Sequence, residues 1–104
     1  MNYLMAAQMR YDLPPSLAKI LLLLVQNKVV TAGMIETEHR LTKDAKVALH
    51  RLRRRLEEAD IEIKSRRDVG YWLEDNVRQS VSAALRGDQI DTQIDTLIGT
   101  ESGP

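Results

Sequence analysis

Ala45, Leu49, Leu52 and Leu56 recur at spacings of four, three and four, which traces one face of an α-helix. Thr42 precedes them as the expected N-cap, because its hydroxyl can accept a bond from a free amide of the first turn. At about 100° per residue, Lys43, Val47, His50, Arg51 and Arg54 fall on the opposite side, and Arg53 and Arg55 flank the two faces. The period then changes. Ile61 and Ile63 alternate with Glu62 and Lys64, and Val69, Tyr71 and Leu73 alternate in their turn, the pattern of half-buried strands. Asp68 and Gly70 tolerate turns, so two short antiparallel strands joined near Arg66, Arg67 and Asp68 are predicted.

Upstream, Leu4, Met5 and Met9 around Ala6 and Ala7 predict a short helix over residues 2–11 that Pro14 and Pro15 stop. Proline suits the first turn of the next helix, and Ser16 adds an N-terminal signal. Leu17, Ile20, Leu21 and Leu24 line one face of that helix and Leu22, Leu23 and Val25 widen it. A helix this apolar belongs in the core. Residues 26–28 read as a turn, and Val29 and Val30 as a short strand that pairs with the later hairpin. Thr31 is placed to cap a second helix over residues 32–39, and Arg40 and Leu41 lead into the basic one. Two helices joined by a tight turn make a helix-turn-helix unit. Downstream, Asp75 or Asn76 is expected to cap a helix over residues 77–85, with Val77, Val81, Ala84 and Leu85 on one stripe and Gly87 at its end. Ile90, Ile94, Leu97 and Ile98 then recur at helical spacing within an acidic segment.

Charge changes the picture more than composition does. The chain of 104 residues has a formal net charge of +0. Residues 1–87, however, hold all fifteen basic groups against eleven acids, a net of +4, while residues 88–104 hold four acids and no base. Such a split between body and tail is informative in itself. At 43% apolar residues, with three Tyr, one Trp and no Phe, a modest aliphatic core is expected. The absence of cysteine removes disulfides and thiolate metal sites and fits a cytoplasmic setting. Arg10 and Asp12 interrupt the opening apolar residues, so no signal peptide is read, and the apolar run of residues 20–25 is far below a membrane span.

Enzyme chemistry is not expected. His39 and His50 are the only histidines, with no HExxH spacing, and neither a GxSxG nor a P-loop occurs. No metal or cofactor is expected either. What remains is the basic helix. Over residues 43–55 there are six Lys or Arg and one acid, Asp44. Arginine can bond guanine edges bidentately, Lys and Arg neutralise phosphates, and Val47 could meet a thymine methyl. Two adjacent arginines at a turn suit a neighbouring minor groove. The plainer alternative is a solvated face, in which Arg53–Glu57 and Arg54–Glu58 form i,i+4 surface pairs worth only a few tenths of a kcal/mol.

The run LRRRLEEADIEIKSRRDVGYWL resembles the output domain of the OmpR/PhoB-type response regulators, a winged helix-turn-helix, and the resemblance extends upstream to Leu13. It implies that Arg51 and Val47 lie on the major-groove side, that Lys43 is a basic position at the helix start, and that Arg53 touches backbone or base. It also implies that Arg67 enters the minor groove and that Tyr71 packs the wing. Asp68 stands where the family has glycine, and Ala48 where a histidine is common. The dozen residues before Leu13 are too few for the family's four-stranded N-terminal sheet. With no receiver domain in the chain, a stand-alone winged helix is the expectation.

The expected fold is therefore mainly α with a small β-hairpin wing, a winged helix-turn-helix over residues 13–87. An N-terminal helical extension (1–12) and an acidic tail (88–104) flank it. The expected function is sequence-specific binding of double-stranded DNA by a transcriptional regulator. Arg51 and Val47 would read bases, assisted by Arg54 or His50. Lys43, Lys46 and Arg53 would hold phosphates, Thr31 and the amides after it would touch the backbone, and Arg66 and Arg67 would sit at the minor groove. The alternative is a protein-interaction module of the same fold acting on RNA polymerase or another regulator. Half-exposed Trp72 is a candidate contact for such a partner, and the two terminal segments are the candidate surface for a homodimer. No membrane contact is expected.

Overall fold

The computed structural model describes residues 3–87. The acidic segment and its apolar stripe lie outside the described residues. The described chain is mainly helical, with one two-stranded antiparallel sheet.

Helix α1 (Tyr3–Tyr11) buries Ala6 and Ala7, whose small side chains let it lie close on its neighbour. The prolines do not stop it. Asp12, at φ 54°, takes the left-handed conformation, and the Leu13 N–H donates back to the Gln8 carbonyl at 3.0 Å, a left-handed helix closure completed before Pro14. Helix α2 (Pro15–Gln26) begins with Pro15 in its first turn, where a missing N–H costs nothing. Its N-cap position is Pro14, with no side-chain cap, so Ser16 does not play that part. Leu17, Ala18, Ile20, Leu21, Leu23 and Leu24 are buried. Asn27 closes the helix, its backbone N–H and its Nδ2 both donating to the Leu23 carbonyl, at 3.0 and 2.9 Å.

The second helix departs from the prediction in form. Thr31 caps it as expected, its hydroxyl accepting from the Met34 N–H at 3.1 Å. Its body, Met34–Glu38, is a π-helix, and the His39 N–H reaches the Met34 carbonyl at 2.9 Å. Arg40, at φ 50°, turns the chain out, and the Leu41 N–H returns to the Ile35 carbonyl at 2.8 Å. The connection to the next helix runs through residues 39–44, longer than the tight turn the sequence suggests, because this closure and an extended approach both intervene.

Helix α3 (Ala45–Leu56) starts later than predicted. Its N-cap is Asp44, not Thr42: Asp44 is extended and its carboxylate accepts from the Val47 N–H at 3.3 Å. The Thr42 hydroxyl instead accepts from the Asp44 N–H at 3.3 Å, one step upstream. A 3₁₀ turn (Glu57–Ala59) and left-handed Asp60, at φ 57°, end the helical run.

Strands β1 (Lys64–Arg66) and β2 (Gly70–Trp72) pair antiparallel with Ser65 opposite Tyr71. Ile61, Glu62 and Ile63, expected in the first strand, precede it. Arg66 is the last residue of β1, and the turn is residues 67–69, closed by the Val69 N–H on the Arg66 carbonyl at 3.0 Å. Val30 adds a single bridge rather than a two-residue strand, exchanging two hydrogen bonds of 2.7 Å with Tyr71. Gly70 makes that crossing possible: its φ is 128°, and a Cβ there would stand 2.7 Å from the Val30 carbonyl oxygen.

Helix α4 occupies residues 75–87. Asp75 and Asn76 are already helical; the Arg78 N–H donates to the Glu74 carbonyl at 2.7 Å, and the Asp75 carboxylate meets Arg78 at 2.6 Å instead of capping. Gly87, the expected stop, is still helical. The core is aliphatic, with Ile20, Leu21, Leu24, Val30, Ile35, Leu49, Leu52, Leu56, Leu73 and Leu85 fully buried and no polar side chain buried among the described residues. Each such Leu or Ile contributes about 1.5–3 kcal/mol on leaving water. No helix among the described residues is long and apolar enough to cross a membrane.

Candidate nucleic-acid interface

Helix α3 is held on three sides, and the fourth is open. Ala45, Ala48, Leu49, Leu52 and Leu56 face the core. Ala48 joins the buried stripe that the spacing drew without it. At the N-terminus, the Glu36 carboxylate accepts from the Ala45 N–H at 2.6 Å, beside the Asp44 cap. Two carboxylates thus satisfy amides that an α-helix leaves free at its start and lie at the positive end of its dipole. This accounts for the one acid within the basic run. It also means that the second helix is tied to α3 by Glu36.

Two of the four arginines of α3 are committed inside the molecule. Arg53 donates from Nε and Nη2 to the Ile63 carbonyl, at 3.2 and 2.8 Å, and from Nη2 to the Ser65 hydroxyl at 3.0 Å. Its guanidinium carbon also lies 5.9 Å from the centre of the Tyr71 ring, within cation–π range. Arg53, expected at a phosphate, is thus spent on joining α3 to the hairpin. Arg55 turns the other way, donating from Nη1 to the Asp12 carbonyl and pairing with its carboxylate at 3.4 Å.

The rest of the predicted set lies on the surface. Lys43, Lys46, Val47, His50, Arg51 and Arg54 are exposed along the outer side of α3 and its approach. Arg66 and Arg67 are exposed at the end of β1 and in the turn. Among the described residues, none of these cationic side chains has a hydrogen bond or ion pair. The i,i+4 pairs Arg53–Glu57 and Arg54–Glu58 are not formed. Val47 is 46% exposed, a small apolar side chain set within the basic face. Thr31 is exposed, but its hydroxyl is occupied by its own helix. Trp72 is half-buried and its indole N–H donates to Glu74 at 3.3 Å.

The hairpin is fixed from both ends of the sheet. Ile63 and Leu73 are buried, Val30 pairs with Tyr71, and Arg53 binds the chain entering β1. Sequence reasoning missed Glu36, Arg53 and Arg55 as structural ties. Their partners are a main-chain amide nine residues away and carbonyls ten and forty-three away, and main-chain groups carry no residue-type signal. In comparison with known proteins, no family model, curated protein or solved structure matches this chain.

Proposed function

We propose that this protein is a winged helix-turn-helix that binds double-stranded DNA as a transcriptional regulator. The observation that carries the reading is the uncompensated basic surface: Lys43 on the approach to α3, Lys46, Arg51 and Arg54 on the helix beside His50, and Arg66 and Arg67 at the hairpin tip, all exposed and unpaired among the described residues. Exposed cations with no internal partner can exchange their counterions for phosphates, which is the main source of affinity for DNA. In this reading the outer side of α3 enters the major groove, where Arg51 and Val47 meet base edges and Arg54 or His50 assists. Lys43 and Lys46 hold phosphates, and Arg66 and Arg67 reach the adjacent minor groove. Arg53 is the link that sets the hairpin against α3.

The test is selection of bound duplexes from a random pool at about 150 mM salt, within the range where phosphate contacts are strongly salt-dependent. A recurring motif is the expected result, and its repeat spacing would report the geometry of a dimer. Retention without a motif would replace base reading with an architectural role. No retention, in low salt as well, would overturn the proposal in favour of a protein-interaction module acting on RNA polymerase or another regulator.

A further inference from the structure

Away from the basic face, α1 and α4 border a groove lined by Met5, Met9, Ile61, Val77, Ser80 and Ala84. Met9 is 77% exposed and Met5 55%, two of the four large apolar side chains most open to water among the described residues. On the α4 side, Val77, Ser80 and Ala84 follow helical spacing, and the last two are small enough to let another helix approach closely. The chain leaves this groove at the end of one of its own walls. The segment that follows has Ile90, Ile94, Leu97 and Ile98 as its only apolar side chains, all on one helical stripe.

We propose that residues 90–98 dock in this groove of their own chain, as a short helix running antiparallel to α4. The lengths agree. Val77 to Ala84 covers about 10.5 Å and Ile90 to Ile98 about 12 Å at the helical rise. Residues 88 and 89 supply the link, at the short end of the two to five residues that join antiparallel helices. Attachment gives the segment an effective concentration in the millimolar range, which favours the same chain over a second copy. Docking would cover Met5 and Met9 and turn the acids Asp91 and Asp95 to one flank of the added helix. The proposal does not rest on the DNA reading.

The chain has no cysteine and four methionines, which suits a paramagnetic test in the full chain. A nitroxide is placed by Thr92→Cys, on the side of residues 90–98 away from the apolar stripe, and the methionine methyl signals are read. The expected result is broadening of Met5 and Met9 in dilute sample, with Met34 sharp. Adding Ile94→Asp and Leu97→Asp should restore the Met5 and Met9 signals without moving Met34, which reports that the domain is still folded. Three results would each overturn the proposal: no broadening; broadening that the double substitution leaves unchanged; or broadening seen only when spin-labelled chains are mixed with isotope-labelled chains lacking the nitroxide, which would make the occupant a second copy.

Discussion

Helices α2 and α3 are each twelve residues long and each give the core a comparable set of aliphatic side chains. They differ on the side that the core does not take. In α2 the half-buried remainder is Leu22 and Val25, and Lys19 is its only cation. In α3 the remainder is Lys46, His50 and the four arginines around Val47. The shared stripe makes both helices parts of one fold, and the residues left over give only one of them a basic surface. A second contrast lies inside α3. Arg53 and Arg54 are neighbours of the same type, yet one is bound to the Ile63 carbonyl and the other has no partner among the described residues. The turn of the helix, not residue identity, assigns their roles.

The comparison breaks most readily at the core. Leu21→Ala and Leu52→Ala should each lower stability by about 2–5 kcal/mol in urea unfolding; a mild loss at Leu52 alone would mean that α3 is not an equal partner in the core. Next in size, Arg51→Ala should leave stability within about 0.5 kcal/mol but cost about 1–3 kcal/mol of DNA binding if it is bidentate to guanine, with altered sequence preference. An equal loss on every sequence would remove it from the base-reading side chains. Asp44→Ala removes the cap and should cost about 0.5–2 kcal/mol of stability by the same unfolding measurement, whereas Thr42→Ala should cost less. The smallest effect is expected from Lys46→Ala: folding unchanged, binding to all sequences weakened alike, and the salt slope reduced by about 1. An unchanged slope would separate Lys46 from the phosphates.

Periodicity carried the helices because burial of one stripe leaves a direct mark on residue order. The aliphatic stripe of α3, the buried face of α2 and the hairpin were legible on those grounds. The start of α3 was not, since Thr42 and Asp44 are both good caps and only the backbone, extended through Asp44, chooses between them. The π-helix was equally hidden: its ladder differs from an α-helix by one residue per bond, and residues 34–38 show no proline or glycine to mark it. For the candidate site, exposure of Arg51, Arg54, Arg66 and Arg67 followed from their position relative to the buried stripe and the turn. The inward use of Arg53 did not, because its principal acceptor is a carbonyl that any residue would offer.

That last feature bears on how the hairpin could vary. The seat of the hairpin is a main-chain oxygen gripped by one arginine, together with a main-chain bridge to Val30. Substitutions at residues 66–69 would leave both fastenings in place. The tip is in this sense an exchangeable part on a permanent mount: its chemistry could be rewritten, by design or by drift, without renegotiating the fold that carries it.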